Sequence, residues 1–137
     1  MGYDFVIGEA AISEPPTDEC DEVATLRVHV AKTVRRQRAP QGWNRMSCGY
    51  RWWADTMRAC GLDDILVPRG RLEPPVLLVP QHPGAARLTA NHLARFVAAH
   101  EEAQRKSNAD AITATAWLVW WTRWALDNCK IPTLANR

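Results

Sequence analysis

The sequence predicts an α+β fold: an amino-terminal antiparallel β-hairpin or small sheet packed by about three helices, with a tryptophan-rich carboxy-terminal core helix. Three observations carry this. Period-two alternation is confined to the first 34 residues, two long stretches after residue 88 repeat their apolar residues at helical spacing, and no low-complexity linker divides the chain. At 137 residues, with 47% hydrophobic and 23% charged residues, the chain has the size and composition of a single domain with one core.

In order along the chain, "YDFVIGEAAI" places Tyr3, Phe5 and Ile7 on one side and reads as a strand, with Gly8 as the expected position of a bulge. "VATLRVHVAKTV" alternates Leu26, Val28 and Val30 with Arg27 and His29, and so supplies the second strand of a hairpin. "RRQRAPQGWNRM" is basic, is broken by Pro40 and Gly42, and reads as a loop. Ser47 stands where an N-cap is expected, ahead of a helix from about Cys48 to Cys60 that Gly61 stops. On that helix Tyr50, Trp53, Ala54 and Met57 share the inward face, Arg51, Asp55 and Arg58 lie opposite, and Trp52 falls outside the apolar stripe.

The proline-punctuated stretch from Leu62 to Gly84 leaves room for one short edge strand at Val76 to Val79. Thr89 then caps a helix whose inward face is Leu93, Phe96, Val97 and His100, "SNAD" breaks the chain, and a last helix runs from about Ala109 to Asn128. In that helix Trp117, Trp120, Trp121 and Trp124 form one stripe, and apolar residues occupy most of the remaining circumference. Such a helix belongs in a core, with only the Trp120, Arg123 and Asp127 edge left as candidate surface.

Charge is uneven although the net value is only +2. Residues 1–22 carry seven acids and no base, whereas residues 27–58 carry eight bases against Asp55 alone. The sequence therefore points to a basic and aromatic surface formed by Arg35, Arg36, Arg38, Trp43, Arg45, Arg51 and Trp52. Arginine forks recognise carboxylates, and tryptophan anchors protein interfaces, so the leading expectation is a non-enzymatic interaction protein that binds a protein partner. The same residues suit single-stranded nucleic acid, since arginines neutralise phosphate while flat rings stack on bases, yet no nucleic-acid-binding motif accompanies them.

Cys48, in the first turn of its expected helix and near Arg45, is the best candidate nucleophile and defines a third reading, a cysteine-dependent enzyme. The cysteines have no zinc spacing, His92 and His100 stand too far apart on one helix to chelate together, and neither a P-loop nor a G-x-G-x-x-G is present. No cofactor or metal is expected. No signal-peptide pattern opens the chain, and the longest uncharged run of the last helix, Ala111 to Thr122, is shorter than the roughly 20 residues of a membrane span. A cytoplasmic protein with reduced thiols is the corresponding expectation.

Together, "YDFVIGEA" and "WLVWWTRWALDNCKIP" resemble short uncharacterised accessory proteins of bacterial and phage genomes. The resemblance implies a small accessory role, of phage or mobile-element origin, and transfers no site residue.

Overall fold

In the computed structural model, which describes residues 2–12, 28–30, 41–67 and 84–136, strand β1 (Gly2–Ile12) is the centre of a five-stranded antiparallel sheet. β2 (Val28–Val30) and β3 (Arg45–Gly49) both lie along one edge of β1, at its two ends. On the other edge β5 (Pro132–Asn136) pairs with β1 and then with β4 (Gly84–Arg87). Phe5 and Val6 are consequently paired on both sides, Phe5 with Met46 and Asn136, Val6 with Arg45 and Ala135. The pairing runs unbroken from Phe5↔Asn136 through Gly8↔Thr133 to Glu9↔Pro132, so the bulge expected at Gly8 is absent.

The expected hairpin is present, with Ala10 opposite Val30 and Ile12 opposite Val28. The sheet around it is larger than the alternation pattern indicates. β3 occupies residues expected to be loop and helix N-cap, and β4 and β5 occupy residues given no strand assignment from sequence. The expected strand at Val76 to Val79 lies outside the described residues.

Four helices cover the face of β1 that carries Tyr3, Phe5 and Ile7: α1 (Tyr50–Cys60), the single turn α2 (Asp63–Leu66), α3 (Ala90–Arg105) and α4 (Ala109–Asn128). Phe5 meets Trp53 with ring centroids 4.4 Å apart, and Trp53 donates its indole N–H to the Leu66 carbonyl at 2.9 Å. That one side chain therefore joins sheet, α1 and α2. On the opposite face of the sheet Val6 and Ala135 form a second buried pair, with Ala85 against them.

α1 begins two residues later than expected, with Gly49 as N-cap and no capping side chain. Ser47 lies in β3 and donates its hydroxyl to Asp4 at 3.0 Å instead. The stop at Gly61 is as expected: its φ of 78° is left-handed, Leu62 N–H reaches Met57 O at 2.9 Å, and Gly61 N–H reaches Arg58 O at 3.4 Å. Lys106 donates to Ala59 O at 3.1 Å and Arg95 to Gly61 O at 3.0 Å, which brings two cations from α3 to the negative end of α1.

The buried stripe of α1 is Trp53, Thr56, Met57 and Cys60. Thr56 can be buried because its hydroxyl bonds the Trp52 carbonyl one turn back, at 2.6 Å. That choice rotates the stripe toward Trp52, which is half-buried against the core, and leaves Tyr50 exposed rather than inward-facing.

Thr89 caps α3 as expected, accepting His92 N–H at 3.3 Å, while His92 Nδ1 accepts Thr89 N–H at 3.0 Å. The inward face is Phe96, Ala99 and Ala103, with His100 at its side. Beyond the α3 C-cap Lys106, Ser107 turns the chain at a left-handed φ of 53°, and Asn108 then caps α4 by accepting Ala111 N–H at 3.1 Å.

α4 is the core helix. Trp117 and Trp121 are buried, and Trp120 and Trp124 flank Trp121 edge-on at 4.9 and 5.5 Å while remaining half-buried. Arg123 and Asp127 are exposed, so the polar edge lies where the helical wheel puts it. No helix of the described residues is long and apolar enough to cross a membrane.

Two buried threonines on α4 differ in one respect. Thr115 donates to Ala111 O at 2.6 Å and also meets His100 Nδ1 at 2.8 Å, whereas Thr122 Oγ1 has no hydrogen-bond partner among the described residues. The same isosteric substitution should therefore act with opposite sign at the two sites. Thr115→Val is expected to lower stability by about 1–3 kcal/mol, because it strands the His100 ring nitrogen, and Thr122→Val to leave it unchanged or raise it. Thermal melts of the two variants check this, and a fall in Tm for Thr122→Val contradicts it.

Candidate functional site

Among the described residues of the expected basic and aromatic surface, β3 separates Trp43 from Arg51 and Trp52. Strand backbone rises about 3.3 Å per residue, so β3 sets roughly 17 Å of extended chain between Trp43 at one end and Tyr50, Arg51 and Trp52 at the other. A compact loop would have gathered them. Arg35, Arg36 and Arg38 lie outside the described residues.

Trp43 has the most exposed large apolar side chain among the described residues, at 53%, followed by Tyr50 at 39%. Its backbone is nevertheless fixed from below, since the indole N–H of buried Trp117 donates to the Trp43 carbonyl at 2.6 Å. Gly42 precedes it with φ of 75°, a conformation that glycine adopts without the steric penalty a Cβ carries. On the other side Asn44 is buried: it accepts Ile7 N–H on its carbonyl and donates its amide to Ile7 O, both at 2.9 Å. An exposed indole thus stands on a stretch of chain tied to the core helix and to the central strand.

Arg45 is engaged rather than offered. Its guanidinium forms a two-pronged pair with Asp4, through Nε at 2.7 Å and through Nη2, and the Ser47 hydroxyl donates to the same carboxylate. The hydrogen bonds and charge of Asp4 raise the Arg45 pKa above its ordinary value, so the guanidinium stays protonated beside that carboxylate. Asp4 was not among the expected site residues. The acidic start of the chain was its only signal, and the pairing rests on Asp4↔Ser47 register across β1 and β3.

Arg51 is exposed on α1, and Arg58 lies 3.6 Å from Asp55 one turn away. Trp52, expected to be the recognition tryptophan, is half-buried against the core. Tyr50 sits edge-on to Tyr3, with centroids 4.7 Å apart, and burial together with the nearby Tyr50 and Cys48 raises the Tyr3 phenol above its ordinary value.

Cys48 does not have the environment of a nucleophile. It lies in β3, not at a helix N-terminus, and burial pushes its thiol up to about 11. Arg45 is held by Asp4. His92 bonds Thr89 and His100 bonds Thr115, each through Nδ1, and the side chains of His29 and His82 lie outside the described residues. Cys129 is likewise raised to about 11, by burial and by Glu9, whose carboxylate accepts the Lys130 and Ile131 backbone N–H groups. Among the described residues no group of three His, Cys, Asp or Glu side chains could hold a metal ion.

No known protein family, curated protein or solved structure matches the chain. The functional reading therefore rests on this geometry.

A thiol with a pKa near 11 is about one part in ten thousand thiolate at pH 7. Alkylation of Cys48 by iodoacetamide, mapped by mass spectrometry, should be far slower than that of a free thiol at pH 7 and should accelerate steadily up to about pH 11. Rapid modification at neutral pH would restore the cysteine-enzyme reading.

Proposed function

We propose that this is a small non-enzymatic interaction protein that binds a protein partner through a surface centred on Trp43. The observation that carries the reading is the combination at that residue: a tryptophan 53% exposed whose carbonyl is held at 2.6 Å by a buried core tryptophan. Tryptophan is enriched at the energetic centres of protein interfaces because one side chain buries a large area at little rotamer cost. Ordering the chain before the partner arrives removes part of the entropic cost of association.

The charge arrangement favours a protein partner over single-stranded nucleic acid. Phosphate binding needs several cations free to displace counterions. Of the described arginines in the segment, Arg45 is bonded to Asp4, and Arg51 lies exposed next to the second aromatic, Tyr50. Arg51 and Tyr50 form the secondary contact of the proposed surface. The free thiols of Cys48, Cys60 and Cys129 suit a protein that works in the reducing cytoplasm, and the small accessory role implied by the chain's two ends fits a partner-binding protein of phage or mobile-element origin.

Trp43→Ala separates binding from folding, because the bond from Trp117 goes to the backbone carbonyl and survives truncation of the ring. The variant is expected to keep its Tm within about 2 °C of the wild type, as a surface substitution should. It should also lose the proteins that the wild type retains specifically from a lysate of its host, compared quantitatively by mass spectrometry. Trp52→Ala, in contrast, should lower Tm measurably because that ring packs on the core. An unchanged set of retained proteins for Trp43→Ala would refute the reading. Salt-sensitive retention of a short single-stranded oligonucleotide by the wild type would replace it with the nucleic-acid one.

A further inference from the structure

A capping box ordinarily closes on glutamate or glutamine, whose side chain stays a hydrogen-bond acceptor down to about pH 4 or at any pH. At the start of α3 the same position is His92. Its Nδ1 accepts the Thr89 backbone N–H at 3.0 Å and lies 3.2 Å from the Thr89 hydroxyl, while the His92 backbone N–H returns to that hydroxyl at 3.3 Å. A backbone amide is always a donor, so Nδ1 carries a lone pair and the ring is the neutral tautomer with its proton on Nε2.

We infer that the first turn of α3 is a proton-sensitive joint, closed while the His92 ring accepts the Thr89 amide and opened when Nδ1 takes up a proton. Protonation places one N–H against another, so the bond becomes a repulsion. It also puts a positive charge at the positive end of the helix dipole.

The charged surroundings provide little relief. The first turn of α3 contains no acid, and Arg95, one turn on, is a second cation. The carboxylate of Asp64 in α2 is occupied by Arg95, at 2.7 and 3.2 Å, and Asp63 acts on the same guanidinium. In β4, the charged residue leading into the cap is another cation, Arg87. Burial first, and Arg95 second, hold the His92 pKa below its ordinary value of 6.5.

The sign of the effect follows. The unfolded chain takes up the proton near pH 6.5 and the folded chain only at lower pH, so the cap contributes fully above about pH 6.5 and is lost as pH falls through the folded value. The joint is well placed to transmit the change. Immediately before Thr89, the buried Leu88 donates its N–H to Pro132 O at 2.8 Å, at the start of β5, and Arg95 ties the next turn to the end of α1.

Nitrogen-edited NMR of the full-length protein tests this. At pH 7.5 the His92 ring should show the Nε2–H tautomer. On acidification to pH 5 the intrinsic-rate-corrected exchange of the Thr89 and His92 amides should rise by about twofold to thirtyfold, the range expected for loss of an N-cap. His92→Gln keeps an acceptor that does not titrate, and should remove most of this pH response while remaining folded at pH 7.5 by circular dichroism. A proton on Nδ1 at pH 7.5, no acceleration in the wild type, or the same acceleration in His92→Gln would each overturn the inference.

Discussion

The whole arrangement depends on β1 being hydrogen-bonded along both edges. Phe5 and Val6 each have a partner on either side, and the strands that provide them, β3 and β5, lie far along the chain: Phe5 pairs with Met46 and Asn136, Val6 with Arg45 and Ala135. Once both edges are occupied, Tyr3, Phe5 and Ile7 can only project toward the helices, where Trp53 and the α4 tryptophans close over them. The ends of the chain are locked side by side at the centre of the sheet, and α1 must start where β3 stops.

That constraint also decides what the surface can do. Pairing with β1 stretches residues 45–49 into a strand, points Arg45 and Ser47 at Asp4, and sends Met46 and Cys48 toward the core. The arginine that looked available for a partner is bonded within the sheet, and the cysteine that looked reactive is a half-buried thiol. Trp43 precedes the strand, is 53% exposed, and has its carbonyl fixed by Trp117.

Much of the helical layer is legible in the sequence, since its signals are local. Thr89, Gly61 and the Asn108 break mark helix ends by short-range hydrogen bonds, and the α4 tryptophans declare a core face by their spacing. The strands divide by the same rule. β1 alternates and can be read, whereas "RMSCG", "GAAR" and "PTLAN" have weak intrinsic strand preference and become β3, β4 and β5 through pairing with distant residues. Two consequences reach the site. β3 replaces the end of the expected loop, the expected N-cap at Ser47 and the first residues of the expected helix, and Thr56, whose internally bonded hydroxyl allows its burial, draws the buried stripe toward Trp52. Trp43 did have a local signal: it lies between Gly42 and Asn44, outside any periodic pattern that could bury it.

The most direct measurement is the set of backbone nuclear Overhauser contacts made by Phe5 and Val6 in the full-length protein. The structure requires cross-strand contacts from this pair to Met46 and Arg45 on one side, and to Asn136 and Ala135 on the other, in the same sample. Contacts on one side alone, or from residues 45–49 only to their helical neighbours, would contradict the doubly paired β1.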